Sequence, residues 1–273
     1  MATGLRFCQL VRMAPYASPL PFQVTFDFMD AFSVGMKRRA ARSPWPANWL
    51  FAEESRRLAI FEKAMLQQFG DCTIIAKPDA EAIGKGIRIV PNGVDLDYFS
   101  PVAREKEPAY QLVFVGNMGY YPNVQASCSL VKAILPKLQR PVRLLLAGAR
   151  PGPVVRGLAS ETVTISGWVE DIRNAYRAGM IFVAPLFTGS GQQNKLLEAM
   201  ALGIPCITTP IVAKGLGVEA EKHLLVAGTV ERFAMEIDRL LADKALQRRL
   251  SENGRRFVER HFSWKQAVNQ LFG

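Results

Sequence analysis

The sequence predicts an α/β fold built on parallel sheets, with a complete sheet in the C-terminal part and an incomplete one before it. Three observations carry that expectation. Downstream of residue 108, short apolar runs alternate with helical patterns, as in a parallel sheet covered on both faces. Several of those runs end in Gly or Pro, and the carboxyl edge of the strands is where open α/β sheets bind ligands. Upstream of residue 91 the same alternation is present but thinner.

In the N-terminal part, residues 24–28 read as a strand. Residues 53–69 read as a helix, with Leu58, Met65 and Phe69 near helical spacing. Residues 72–76 and 87–90 read as two more strands. Three strands and one long helix are too few for a doubly wound domain and leave an unpaired edge. Either another chain covers that edge or the sequence lacks its natural N-terminal portion. The stretch 91–108, PNGVDLDYFSPVAREKEP, is rich in turn formers and reads as a linker. Beyond it, strands are expected at 111–115, 143–147, 163–165, 181–184, 205–208 and 224–226. Helices are expected at 123–138, 171–178, 196–202, 230–242 and 244–253.

Composition narrows the function classes. The 273 residues have a globular make-up, and no run approaches the ~18 apolar residues of a membrane span. No basic segment followed by an apolar core marks a secretory signal, so the expected compartment is the cytoplasm. Cys8, Cys72, Cys128 and Cys206 lack metal-site spacing, and Cys206 reads as a buried small hydrophobe. His223 and His261 stand beside neither a nucleophile nor a second ligand. The net charge of +10 suits an anionic partner: phosphorylated substrates, anionic membranes and nucleic acid are all compatible with it. No nucleic-acid motif accompanies the charge, and the cluster Lys37, Arg38, Arg39 and Arg42 reads slightly better as a solvated face.

The strongest local signal is TGSGQQNKLLEAMALG, residues 188–203, which follows a strand and opens a helix. Gly189, Ser190 and Gly191 permit close backbone approach, and a helix start favours phosphate through its N–H groups and dipole. Lys195 in the first turn opposes that dipole, a cost that an anionic ligand would offset. Glu198 lies one turn after Asn194 and Lys195, where a carboxylate can accept hydrogen bonds from sugar hydroxyls. An ordinary amphipathic helix fits this segment equally well, with Leu196, Leu197 and Met200 in the core and Glu198 solvated. Neither GxxxxGK[ST] nor a strand-following GxGxxG is present. In GWVED, residues 167–171, Trp168 reads better as plain core than as a platform for a base.

Together these segments resemble the retaining GT-B glycosyltransferases of family 4, which includes sucrose synthases and mannosyltransferases. PNGVDLDYFSP is similar to that family's interdomain junction, FVGNMGYYPN to the first strand and loop of its C-terminal domain, and GWVEDIRNAYRAGMIFVAPL to its base-binding region. GSGQQNKLLEAMALGIPCITT is similar to its diphosphate and ribose segment, and HFSW to the start of its C-terminal helix. FDFMDAFS and the helix at 53–69 resemble the last part of its N-terminal domain. The FVGNMGYYPN and QNKLLEAMA versions are nearest to sugar transferases of bacterial exopolysaccharide clusters.

The resemblance implies a GT-B fold: a complete C-terminal Rossmann-like parallel sheet and an incomplete N-terminal Rossmann-like domain. It implies a partial acceptor-side domain over 1–100, a nucleotide-sugar-binding domain over 101–250, and a C-terminal helix over 251–273 packing back toward the N-terminal part. Gly116 and Asn117 would lie at the donor diphosphate, and Gly167, Val169 and Asp171 at the nucleobase. Ser190, Gly191, Asn194 and Lys195 would hold the diphosphate and sugar, and Glu198 the ribose hydroxyls. Lys195 and Glu198 are the best catalytic candidates, stabilising the departing diphosphate with no metal or other cofactor. The implied reaction moves a sugar, of hexosyl type, from a nucleotide-sugar donor to an acceptor hydroxyl with retention, in exopolysaccharide or envelope glycan synthesis. The implied partners are that donor and a glycan or lipid-linked acceptor. Peripheral contact with the inner face of an anionic membrane is compatible with these partners, and nucleic acid is not among them.

Three departures bear on this. Of two family glutamates eight positions apart, the second is Glu198 but the first is Ser190. The loop after the FVG strand offers Asn117 and Asn123 where the family often has Arg and Lys. The N-terminal part is about half the expected size, so an N-terminally truncated or non-catalytic nucleotide-sugar-binding module is the alternative. A sugar-nucleotide epimerase ranks lower, because its acid/base groups are not evident.

Overall fold

The computed structural model describes residues 7–17, 24–101, 107–188 and 192–272. Ser190 and Gly191, and the charged part of the 91–108 linker at 102–106, lie outside the described residues. The chain divides into two compact units. Unit 1 comprises Met1–Asn92, Thr188–Gln192 and Ala267–Gly273, and unit 2 comprises Gly93–Phe187 and Gln193–Gln266.

Unit 1 is built on four parallel strands in the order β1 (Phe7–Gln9), β2 (Thr25–Asp27), β3 (Asp71–Ile74), β4 (Arg88–Ile89). The short α1 (Ala14–Ala17) precedes β2. Helices α2 (Phe32–Ala40) and α3 (Ala47–Gln68) connect β2 to β3, and α4 (Lys77–Ile83) connects β3 to β4. Phe26, Phe28 and Ile74 are fully buried in its core, where Phe26 stacks on Phe69 at 4.6 Å between ring centroids. The sequence reading missed β1, α2 and α4. β1 is three residues long, and α2 carries a run of cations rather than an apolar stripe. Tertiary packing holds α2 instead. Its N-cap, Ala31, has no capping side chain, and the buried Glu62 of α3 accepts from the Ser33 N–H at 3.1 Å and from the Ser33 hydroxyl.

Unit 2 contains six parallel strands in the order β10-β9-β8-β5-β6-β7. They are β5 (Tyr110–Val115), β6 (Leu144–Ala147), β7 (Val163–Gly167), β8 (Gly179–Ala184), β9 (Cys206–Thr208) and β10 (Leu225–Val226). The described helices of unit 2 are α5 (Tyr121–Ser129), α6 (Pro153–Arg156), α7 (Ile172–Arg177), α8 (Asn194–Ala201), α9 (Pro210–Leu216), α10 (Val230–Ala242) and α11 (Lys244–His261). The last helix, α12 (Trp264–Phe272), starts in unit 2 and ends in residues that cluster with unit 1. The central strands β5, β6, β8 and β9 are apolar and buried along nearly their whole length, as strands covered on both faces must be. The expected GT-B architecture is therefore present: two parallel Rossmann-like sheets, the C-terminal one larger.

Three local differences from the sequence reading have physical reasons. The helix expected over 123–138 ends at Ser129 and continues as a wide π turn (Leu130–Ile134) and a tight 3₁₀ turn (Leu135–Lys137). Pro136 has no N–H to donate into an α-helical ladder there. The helix expected to stop at residue 253 runs on to His261. Gly254 stays inside it because a Cβ there would sit 3.0 Å from the His223 carbonyl oxygen, so the glycine serves close packing. The sequence reading passed over α9, which ends at Gly217 in the left-handed conformation with φ 69°.

Candidate functional site

The sheet order of unit 2 reverses at one place. From β5 the chain proceeds outward to β6 and β7, then returns to the other side of β5 to lay down β8, β9 and β10. The carboxyl ends of β5 and β8 therefore diverge into connections on opposite sides, a topological switch point where ligands bind in open α/β sheets.

Glycines keep this edge low. Gly116 follows β5, Gly148 follows β6 and Gly167 ends β7. Gly148 adopts φ 135°, and a Cβ on it would lie 1.9 Å from the Gly116 carbonyl oxygen, so no other residue fits. Its N–H donates to the Gly167 carbonyl at 3.0 Å, and the Gly116 N–H donates to the Ala147 carbonyl at 3.0 Å.

Over this edge sits an ammonium group. Lys195 is the second residue of α8, and its Nζ donates to the Asn123 Oδ1 and lies 5.3 Å from the centroid of the Phe114 ring. A Cβ on Gly116 would meet the Asn123 Nδ2 at 2.8 Å and the Lys195 Nζ at 3.2 Å, so both head groups converge on that glycine. Asn123 is buried, and its Nδ2 donates to the Asn117 carbonyl at 2.8 Å, which points its Oδ1 at the lysine. Among the described residues no carboxylate oxygen lies within 4.0 Å of Lys195 Nζ. Burial pulls the Lys195 pKa down to about 8, against the opposing effect of the Glu198 charge. Helix position, burial and the missing counter-ion all disfavour a cation here, and an anion bound at the glycine edge would relieve all three.

Glu198 is not the solvated side chain that an ordinary amphipathic helix would carry. The Tyr176 hydroxyl, in a fully buried side chain of α7, donates to Glu198 Oε2 at 2.6 Å. Burial raises the Glu198 pKa, while the Tyr176 hydrogen bond and the Lys195 charge pull it down. One carboxylate oxygen is thus pinned by a buried phenol that the sequence reading overlooked. A single Tyr in a mixed helix gives no warning of such a role.

The base-side candidates form a second cluster. Asp171 caps α7 by accepting from the Arg173 N–H at 2.9 Å, pairs with the Arg173 guanidinium at 2.7 Å, and accepts from the Tyr98 hydroxyl at 3.1 Å. The Arg173 hydrogen bonds hold its carboxyl well below the usual carboxylate range. Arg173 also lies 3.9 Å from the centroid of the Tyr98 ring. Val169 is half-buried between Gly167 and this cluster in the chain. Trp168, expected in the core, is instead 72% exposed, directly after the left-handed Gly167 that ends β7.

Of the remaining candidates, Asn117 is exposed and its Oδ1 accepts from the Gly119 N–H at 3.0 Å, while Asn194 opens α8 on the surface. The structure therefore brings Gly116, Asn117 and Lys195 together, with Glu198 one turn along α8. It places Asp171 in its own ion-paired group. His223 has a packing role: its Nδ1 accepts from the Glu219 N–H at 3.0 Å and its ring stacks near Phe257 at 4.5 Å. Among the described residues no group of three or more His, Cys, Asp or Glu side chains is placed to hold a metal ion. No helix among them is long and apolar enough to cross a membrane.

Comparisons with known proteins relate the chain to glycosyltransferases. Residues 109–243 match the family model described as Glycosyl transferases group 1. The chain is 24% identical over 206 residues to the UDP-Gal:alpha-D-GlcNAc-diphosphoundecaprenol alpha-1,3-galactosyltransferase of Escherichia coli, covering 68% of this chain and 52% of that protein. Among solved structures, sucrose-phosphate synthase from Thermosynechococcus elongatus superposes with a TM-score of 0.78 at 22% identity, covering 98% of this chain and 71% of the other. HepE from Anabaena in complex with UDP and glucose superposes with a TM-score of 0.73 at 14% identity, covering 97% and 76%. The chain spans about half the length of the curated relatives it matches. It is related to glycosyltransferases of the GT-B fold.

Proposed function

We propose that this chain carries the donor half of a retaining family 4 glycosyltransferase, moving a hexosyl group from a nucleotide-sugar to an acceptor hydroxyl in exopolysaccharide or envelope glycan synthesis. The observation that carries the reading is the half-buried Lys195 ammonium, held over Gly116 by Asn123 with no carboxylate within 4.0 Å among the described residues. A diphosphate matches the charge and the close backbone approach of such a site.

In the reaction, the bond between the anomeric carbon and the terminal phosphate oxygen of the donor breaks. A bond from that carbon to the acceptor oxygen forms on the same face, and the acceptor proton leaves with the nucleoside diphosphate or to solvent. Negative charge grows on the departing diphosphate, and Lys195 is already in place to receive it. Gly116 lets the phosphates approach the backbone, with Asn117 and Asn194 beside them. Glu198, pinned by Tyr176, takes the ribose hydroxyls. Gly167, Val169 and Asp171 border the base. The galactosyltransferase relative is named for a diphosphoundecaprenol-linked acceptor, which supports a lipid-linked acceptor here and action at the inner face of the membrane.

Titration calorimetry with UDP, GDP and ADP tests the donor half. One of them is expected to bind, and Lys195→Ala is expected to weaken it about 100-fold, since a charge-assisted contact to phosphate is lost. No binding of any of the three would sink the reading. Donor hydrolysis separates an enzyme from a binding module: release of nucleoside diphosphate, abolished by Lys195→Ala, is the expected result.

A further inference from the structure

The chain that leaves β7 carries hydrogen-bonding groups to which the donor-site reading gives no task. Among the described residues the peptide N–H and C=O groups of Trp168 and Val169 make no hydrogen bond. Two residues on, the Asp171 carboxylate is full. A carboxylate has about four acceptor sites. Four donors occupy this one: the Arg173 peptide N–H at 2.9 Å, its Nε at 2.9 Å, its Nη2 at 2.7 Å and the Tyr98 hydroxyl at 3.1 Å. Arg173 is the reverse case. Its Nε and Nη2 donate to Asp171, and its Nη1 donates to the Tyr98 carbonyl at 3.2 Å. Each Nη nitrogen has a second N–H, and among the described residues neither of these finds an acceptor. The Tyr98 ring, with its centroid 3.9 Å from the guanidinium carbon, holds the fork in one plane. All of these residues belong to unit 2.

These groups distinguish the bases. The segment offers a peptide N–H, a peptide C=O and the Arg173 fork: donors on either side of one acceptor. The pairing edge of uracil runs carbonyl, N–H, carbonyl, and each finds its complement there. Guanine sets an amino group beside its ring N–H and needs a second acceptor, but Asp171 is full. Glu170 is exposed and held by no partner among the described residues, so ordering it against a base costs side-chain entropy. Cytosine and adenine carry an amino group where uracil has a carbonyl, which sets donor against donor. We propose that Arg173 selects the base by donating its two open N–H groups to a uracil carbonyl, while the peptide groups at Trp168 and Val169 take the ring N–H and the other carbonyl. The donor is then a uridine diphosphate sugar. This rests on the donor-site reading and names the base that it leaves open.

Titration calorimetry with UDP, CDP, GDP and pyrophosphate tests it. In the native chain UDP is expected to bind about 20-fold tighter than CDP or GDP, since each rival leaves a polar group unmatched. That comparison needs no variant to fold. Arg173→Gln is expected to weaken UDP about tenfold and to bring the three nucleotides within about threefold of one another. Pyrophosphate, which reports the Lys195 edge alone, is expected to bind as before. Arg173→Lys keeps the charge but loses the fork, and is expected to lose the selectivity too. Glu170→Gln is expected to leave the ratios as they are. CDP or GDP binding as tightly as UDP in the native chain would overturn the proposal. Equal losses for all three nucleotides in the Arg173 variants, with the ratios kept, would overturn it as well, because a purely structural Asp171–Arg173 pair gives that result. So would ratios that move with Glu170→Gln and not with Arg173. Binding of neither pyrophosphate nor any nucleotide would remove the donor site itself, and the base contact with it; this outcome is distinct from nucleotides that bind without selectivity.

Discussion

At the carboxyl edge of the six-stranded sheet the Lys195 ammonium lies over the glycines; at the corresponding edge of the four-stranded sheet stands a pair of carboxylates, Asp27 and Asp30. Asp27 ends β2 and accepts from the Gln9 side chain at 3.1 Å, the Met29 N–H at 3.2 Å and the Thr73 hydroxyl at 3.1 Å. Burial nevertheless raises its pKa. Asp30 is pushed up to about 6 by burial, then by the charges of Asp79 and Asp27. Both edges are carboxyl ends of parallel strands, although only the six-stranded sheet reverses its strand order, and their side chains carry opposite charges. A diphosphate is drawn to Lys195 and repelled by the acids, so the backbone edge supplies a place and the buried charges decide what occupies it.

The largest effect is expected from the glycine edge itself. Gly148→Ala forces a Cβ to within 1.9 Å of the Gly116 carbonyl oxygen at φ 135°. It is expected to cost about 3 kcal/mol or more in chemical denaturation, from steric strain and left-handed backbone. Retention of native stability would mean that the edge is softer than drawn. Lys195 gives the next effect through pH. With the free-protein pKa at about 8, nucleotide affinity is expected to be flat below that pH, where the ammonium is already formed. Above it, affinity falls by up to about tenfold per unit as the proton leaves. Lys195→Arg, which stays charged, is expected to flatten the profile, and an unchanged slope would move the titration elsewhere.

The acid edge is expected to respond in folding stability rather than in nucleotide affinity. The native state holds the Asp30 proton at about 6 against an ordinary value of 3.8, so stability falls as pH rises through that window. Asp30→Asn is expected to remove the fall and to stabilise the protein by about 1 kcal/mol at neutral pH, read by thermal melts across the range. The smallest effect is expected at Tyr176. Tyr176→Phe removes one hydrogen bond to Glu198 and is expected to lower ribonucleotide affinity about fivefold. The 2′,3′-dideoxy counterpart is expected to lose less, and equal losses for both would count against a ribose role for Glu198.

Much of unit 2 was legible in the sequence because its signals are local. Residues 110–115, 179–184 and 206–208 are apolar enough to be strands on both faces, and Thr229 and Asp243 cap α10 and α11 where their types predict. Unit 1 was harder, since β1 has three residues and α2 is held by a carboxylate from another helix. The same division runs through the candidate site.

By itself the sequence determined the parallel architecture, the glycines at the strand ends, and Lys195 and Glu198 as the charged pair at the start of α8. Each follows from residue type and spacing along one stretch of chain. Only the tertiary structure decided that Asn123 and Gly116 frame the lysine, that Tyr176 pins the glutamate, and that Trp168 stands in solvent rather than in the core. Asn123 is 72 positions from Lys195 and Tyr176 is 22 from Glu198. Contacts across such separations come from the strand order β8-β5-β6, which no local pattern encodes.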